Sequence, residues 1–207
     1  MEPFVRLDGI AAPMFRDNID TDAIIPVSRM KALDADYGAG LFANLRYRAD
    51  GSDDAEFVLN QPAYKHARIL IAGDNFGCGS SREQAVWALL RFGIRCVIAG
   101  SFGDIFYGNC FRAGLLPVVL PLEICRDLAR TATSLPGSRV TVDLAACSIV
   151  APDGVKIAFE IDGLRRHGLL EGLDQIGATL LLANVIADFQ ARDRLRRPWI
   201  HQLGATP

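Results

Sequence analysis

The chain has 207 residues, half of them apolar, with 22 basic side chains against 24 acidic ones. That apolar share supplies a core and excludes disorder for most of the chain, and the near-neutral balance lacks the basic excess of a nucleic-acid binder. No apolar stretch approaches the roughly 20 residues needed to span a bilayer, which excludes a membrane span. The start, MEPFVRLDGIAAP, carries early acidic charge in place of the basic-then-apolar layout of a secretion signal, so a cytoplasmic protein is expected.

In chain order, VRLDGIAAP reads as a first strand. NIDTDAIIP follows, with turn chemistry from Asn18, Asp20, Thr21 and Asp22 ahead of a short β-branched run closed by Pro26. Residues 27–66 are irregular around a polar tip, ADGSDDAE, and are too long for an ordinary connector, a length typical of functional or mobile loops. From Arg68 the pattern becomes regular. RILIAG, IRCVIAG and LLPVVL read as buried strands. Between them, SREQAVWALLRFG is a helix with Ala85, Val86, Leu89 and Leu90 on its apolar side and Gly93 as its stop, and DIFYGNCFRAG is a helix ending at Gly114. Strand–helix alternation with short links implies parallel pairing. LEICRDLARTAT is an amphipathic helix. After Pro136, RVTVDL, SIVAP and VKIAFEI are separated by turns at 145–147 and 152–154 and predict an antiparallel meander. TLLLANVIADFQARDRLRRPW predicts a helix with a basic C-terminal turn that complements its dipole. The expectation is one α/β domain over 1–207 with mixed β pairing.

Five cysteines stand at 78, 96, 110, 125 and 147 with no CxxC pair, so neither a zinc ribbon nor a compact iron–sulfur motif is encoded. Cys96, inside IRCVIA, reads as core. Asp20 and Asp22 read as turn residues and not as metal ligands, Trp87 and Phe92 as core or interface, and the run Arg165-Arg166-His167 as surface or interface.

The stretch with the most unusual chemistry is GDNFGCGSSREQA, residues 73–85. Ser80 and Glu83 fit a capping box, each side chain reaching the other's amide, which would stabilise the helix by about 1 kcal/mol. The capping reading leaves Gly73, Gly77, Gly79 and Arg82 unexplained. Glycines allow close backbone approach, a helix start offers free amides and a positive dipole end, and a guanidinium forks onto carboxylate or phosphate. Together they describe an anion site. The phosphate-loop pattern is absent because no lysine follows the glycines, and so is G-x-S-x-G. The three histidines, His66, His167 and His201, lie far from these serines in sequence.

The string from GDNFGCGSSREQAVWALLRFG to GNCFRAGLLPVVL resembles the swivelling domain of the aconitase family. NIDTDAIIP and IDGLRRHGLLEGLDQIGATL resemble the other two signatures of its 3-isopropylmalate dehydratase small subunits, and the three blocks together cover nearly the whole chain in the right order. The resemblance implies a single swivelling β/β/α domain with a mixed β-sheet and flanking helices. It implies Ser80 as catalytic base, with Ser81, Arg82 and Gly79 binding substrate. Ile25, Pro26, Ser28, Arg29 and Met30 then belong to the substrate-recognition loop. A serine hydroxyl is a weak acid, and an alkoxide requires amides, a helix start and a guanidinium in a site closed to water; this turn supplies that set. The reaction implied is hydro-lyase chemistry in leucine biosynthesis, in which 2-isopropylmalate loses water and regains it at the neighbouring carbon as 3-isopropylmalate. The implied cofactor is a [4Fe–4S] cluster held by a separate large subunit, with no metal on this chain. The implied partner is that large subunit, in a heterodimer or heterotetramer whose active site lies between subunits.

There are two departures from the family pattern. Gln84 stands where histidine is usual, and Arg29 and Met30 stand where aromatic and aliphatic residues commonly receive the isopropyl group. Arg29 is either solvated or faces the substrate, and the second case favours a smaller or more polar malate-type diacid, because an unpaired guanidinium against an isopropyl group is costly. A non-catalytic anion-binding or regulatory paralogue and a phosphate-binding transferase are the alternatives of other classes.

Overall fold

Period-two burial builds the first strand: along β1 (Arg6–Pro13), Leu7, Gly9 and Ala11 point inward while Arg6 and Asp8 face out. The computed structural model describes residues 1–30 and 35–201; residues 31–34 of the expected 27–66 loop, and His201's side chain, lie outside that description. β1 occupies the middle of a seven-stranded sheet. On one side it pairs in parallel with β2 (Ile69–Ile71), followed by β3 (Cys96–Ala99) and β4 (Leu116–Val119). On the other it pairs antiparallel with β5 (Arg139–Asp143), followed by β6 (Ser148–Val150) and β7 (Lys156–Ala158). The expected parallel run and meander are both present, joined into one mixed sheet.

The helices are α1 (Thr21–Ile24), α2 (Tyr37–Gly40), α3 (Ala43–Arg46), α4 (Glu83–Phe92), α5 (Asp104–Ala113), α6 (Leu122–Ser134), α7 (Gly163–Glu171), α8 (Gln175–Leu180), α9 (Ala183–Arg196) and α10 (Pro198–His201). Alternate residues of the parallel strands feed two cores, as expected for strands buried on both faces. Leu70, Ala72, Val97 and Ala99 pack with α4, α5 and the segment ahead of β2. Ile69, Ile71, Cys96 and Ile98 pack with α6 and with Val140, Val142 and Ile149 of the meander. Gly93 and Gly114 end α4 and α5 in left-handed conformations, as the sequence predicts.

Three segments differ from expectation. NIDTDAIIP is not an extended β-branched run, because Asp20 caps a helical turn by accepting from the Ala23 amide at 2.7 Å, and the chain is extended again at Ile25, before Pro26. The described part of the stretch after Pro26 is built from short turns, with α2 packed on α4. Leu41 and Phe42 are fully buried there, Tyr37 meets Trp87 edge-on at 5.8 Å, and Arg46 donates to the Gly38 carbonyl at 3.1 Å. The C-terminal helix is divided, with Asp174 capping α8 through the Gly177 amide at 2.6 Å and α9 starting anew at Ala183. Among the described residues no helix is long and apolar enough to cross a membrane.

Candidate functional site

Parallel strands send the loops that follow them to one edge of the sheet, so the segments after β1, β2 and β3 meet there. The Asn18 amide donates to the Asp74 carbonyl at 2.8 Å, the Gly77 amide to the Ile19 carbonyl at 2.7 Å, and the Thr21 amide to the Cys78 carbonyl at 2.9 Å. The loop after β3 joins through the Gly103 amide, which donates to the Phe76 carbonyl at 2.9 Å. Side chains reinforce the seam, with the Asp74 amide donating to Asp17 Oδ1 and Asn75 Nδ2 to Asn18 Oδ1, each at 2.8 Å.

The glycines divide between two tasks. A Cβ at Gly73 would lie 2.1 Å from Asp17 Oδ1, and one at Gly77, whose φ is +74°, would lie 2.2 Å from the buried Phe106 ring. Both serve close approach within the protein, in place of the ligand approach expected for them. Gly79 is exposed, and its nearest neighbour, Asp20 Cβ, is 3.5 Å from where a side chain would begin.

The capping box does not form. Helix α4 begins at Glu83 with Arg82 in the cap position and no side-chain cap. Glu83 instead pairs with Arg112 at 3.0 Å, and Ser80 turns toward α1. The half-buried Ser80 Oγ lies 2.6 Å from Thr21 Oγ1, and the Ser80 amide donates to the same Thr21 oxygen at 3.3 Å. With no capping side chain, the positive end of α4 is left to whatever approaches the Gly79–Arg82 turn.

Arg82 lays its fork on Asp22, with Nη2 to Oδ2 at 3.0 Å and Nη1 closer still to Oδ1, while Nη1 is 3.5 Å from the Ile25 carbonyl. The hydrogen bond from Arg82, and then its charge, hold the Asp22 carboxyl below the usual carboxylate range. A guanidinium carries five donors, so N–H groups remain on Arg82 for a second carboxylate. Ser81 beside it is exposed.

The residues after α1 take different positions. Ile25 and Pro26 are buried, Ser28 and Arg29 are exposed, and Met30 is half-buried against the core. The Arg29 guanidinium rests over the Tyr47 ring, 5.6 Å from its centroid, a geometry that holds a cation at the surface. Gln84 is half-buried in the first turn of α4. In the third signature block, Arg165 lies 4.9 Å from the centroids of both Tyr107 and Phe111, and Arg166 Nε donates to the Leu144 carbonyl at 3.1 Å. That pair fastens α7 to α5 and to the meander, while His167 is exposed.

The donor set among the described residues does not suit an iron–sulfur cluster. Burial pushes the thiols of Cys96 and Cys110 up, and that of Cys125 up to about 11, so these cysteines stay protonated and poor ligands. Among the described residues no group of three or more His, Cys, Asp or Glu side chains is arranged to hold a metal ion.

Residues 1–123 match the family model of the aconitase C-terminal domain, and 126–163 match the model described as LeuD_N. The 3-isopropylmalate dehydratase small subunit of Allorhizobium ampelinum is 53% identical over 96% of this chain and 100% of its own length, and that of Sinorhizobium medicae is 52% identical over the same shares. The crystal structure of a 3-isopropylmalate dehydratase from Methanocaldococcus jannaschii superposes with a TM-score of 0.64 at 32% identity, covering 89% of this chain and 99% of that one. The chain belongs to the family of 3-isopropylmalate dehydratase small subunits. Its relatives are hydro-lyases of the aconitase family, and small-subunit membership implies a large-subunit partner.

Two residues that frame this site stand in one of the signature-like blocks of the sequence without a role of their own there. Thr21 and Asp22 read there as turn chemistry, yet one holds the Ser80 hydroxyl and the other the Arg82 guanidinium. The available signal was their place in NIDTDAIIP, and only contact across the fold shows which side chains they hold.

Proposed function

We propose that this chain is the proton-transfer and carboxylate-binding half of a 3-isopropylmalate dehydratase, acting with its large subunit on 2-isopropylmalate. One observation carries the reading: Ser80, Ser81 and Arg82 occupy a single turn ahead of an uncapped helix, at the edge where three parallel-strand loops converge.

Ser80, already ionised to the alkoxide by loss of its proton to solvent, takes the proton from the substrate carbon and becomes the alcohol, and the C–H electron pair becomes the new C=C bond as the hydroxyl on the neighbouring carbon departs. In re-addition the proton returns from Ser80 to one carbon while the hydroxyl joins the other. The N–H groups of Arg82 not engaged by Asp22 hold a substrate carboxylate, and Ser81 and the open backbone at Gly79 line the same side. A [4Fe–4S] cluster carried by the large subunit would supply Lewis acidity at the departing hydroxyl. The segment Ile25, Pro26, Ser28, Arg29 and Met30 forms the substrate-recognition side. The seat of Arg29 on Tyr47 supports an isopropyl-sized substrate, since the guanidinium does not need the pocket to be solvated.

The test is anaerobic reconstitution with the large subunit, following the unsaturated diacid by ultraviolet absorbance. Turnover of 2-isopropylmalate should require both subunits, and Ser80→Ala should lower kcat by about a thousandfold or more, in the range expected for loss of a positioned base. Undiminished turnover by S80A would remove Ser80 from the mechanism, and preferential turnover of a methyl-substituted malate would change the substrate.

A further inference from the structure

The contact between Thr21 and Ser80 joins two parts of the chain 59 residues apart, and it is the shortest link between α1 and the turn before α4 that involves the reacting hydroxyl. Thr21 is 1% exposed, which excludes water as a ready alternative partner for its hydroxyl. Its backbone is fixed at both ends: its amide donates to the Cys78 carbonyl at 2.9 Å, and its carbonyl accepts from the Ile25 amide at 3.0 Å. A threonine on a helical backbone divides between two χ1 rotamers, and the contacts with Ser80 at 2.6 and 3.3 Å select the one that faces the turn.

The hydrogen-bond inventory gives this placement a direction. A threonine hydroxyl has one proton and two lone pairs, and the Ser80 amide, at 3.3 Å, takes one lone pair. In the 2.6 Å contact either hydroxyl can donate while Ser80 keeps its proton. Once Ser80 has lost that proton, only Thr21 can donate, and the bond becomes a charge-assisted one of roughly double strength. The contact is therefore worth more to the alkoxide than to the alcohol.

The charged groups around the pair are already engaged. Asp20 accepts from the Ala23 amide, Asp22 binds Arg82, Glu83 on α4 binds Arg112, and Arg46 on α3 bonds to Asn60 and to the Gly38 carbonyl. Cys78, whose carbonyl holds Thr21, is half-buried.

We propose that Thr21 is a positioning residue for the dehydration: its hydroxyl aims Ser80 Oγ at the substrate and donates to that oxygen when Ser80 has given up its proton. The inference rests on the reading of Ser80 as the base, and the experiment separates the two. Thr21→Val, which keeps the shape and removes the hydroxyl, Thr21→Ser, which keeps the hydroxyl, and S80A are compared in the complex with the large subunit.

T21V should lower kcat on 2-isopropylmalate by about 10- to 100-fold, the equivalent of a lost hydrogen bond to a charged group. KM should stay within about threefold, and the rise of kcat with pH should move to higher pH. The primary isotope effect with substrate deuterated at the reacting carbon should grow, and T21S should recover most of the lost turnover. A purely packing role predicts the reverse pattern, with T21V little changed, T21S impaired by the loss of its methyl group and the pH profile unmoved, and that result overturns the inference. An inactive S80A beside a T21V with unaltered kcat and pH profile overturns the role of Thr21 alone. An active S80A overturns the base assignment and this inference with it. Should T21V not assemble with the large subunit, Thr21→Ala is read against T21S in the same way.

Discussion

The two halves of the sheet share β1 and have opposite consequences for chemistry. From β1 to β4 every strand runs the same way, so successive loops leave from the same edge and are pressed into one seam. Across β1, β5, β6 and β7 the strands alternate, so successive turns leave from opposite edges and each is closed on itself: Asp143 accepts from the Ala146 amide and Asp153 from the Val155 amide. Parallel pairing gathers Thr21, Ser80 and Arg82 from distant parts of the sequence, whereas the meander buries Val140, Val142 and Ile149 and gathers no such set. The side of the fold proposed for catalysis is therefore also the side where distant segments are tied together.

A matched pair of glycines would break or sharpen that contrast with the largest effect. Gly77 in the seam and Gly154 in the β6–β7 turn have similar dihedrals, φ +74° and +86°, so alanine carries a similar backbone cost of about 1–2 kcal/mol at each. Their surroundings differ: a Cβ at Gly77 meets the Phe106 ring at 2.2 Å, and one at Gly154 meets nothing within 4 Å. Gly77→Ala should therefore add an overpacking cost of about 1–3 kcal/mol to the backbone term, and Gly154→Ala should not. Denaturant unfolding of the two variants measures the difference. Equal losses would mean that the seam yields as easily as an open turn.

A smaller effect is expected at the Arg82 fork. Asp22→Asn removes the charge that fixes the guanidinium plane, and KM for the diacid should rise by about five- to tenfold with kcat changed less, as for a group that binds ground and transition states alike. Because the Asp22 carboxyl lies below its ordinary value of about 3.9, the pair's contribution is fully present above that range and is lost only as pH falls through the lower, folded value. The KM ratio of D22N to the unsubstituted complex should thus be constant between about pH 6 and 8. A ratio that varies across this window would show that Asp22 titrates with the substrate and does not merely orient Arg82.

The same contrast explains how much could be read in advance. RILIA, IRCVIA and LLPVV are unbroken apolar runs between helices with glycine stops, which is the local signature of buried parallel strands, and these elements lie where the sequence predicts them. The turn holding Ser80, Ser81 and Arg82 was equally legible, since its residues are contiguous. Its internal geometry was not. The capping box is a local pattern, and it lost to two long-range contacts, Ser80 with Thr21 and Glu83 with Arg112. The segment after Pro26 read as irregular because Leu41, Phe42 and Leu59 follow no helical or strand period, although all three are buried against α4 and the sheet.

The smallest expected effect lies at α7, which follows the meander and also rests on α5 through Arg165. Asp162 caps α7 by accepting from the Leu164 and Arg165 amides, both at 3.1 Å, and α7 follows the meander at the far end from the Ser80 turn in chain order. Asp162→Ala removes both bonds and should cost about 1 kcal/mol of stability. Arg166 still ties the helix to the Leu144 carbonyl, and Leu169 remains in the core, so α7 should fray at its first turn without detaching. Turnover of the reconstituted enzyme per folded molecule should stay unchanged, because no contact of Asp162 reaches the seam. A fall in kcat for D162A comparable with that expected for T21V would mean that the meander and its helix communicate with the Ser80 turn, and the division of labour between the two halves would have to be abandoned.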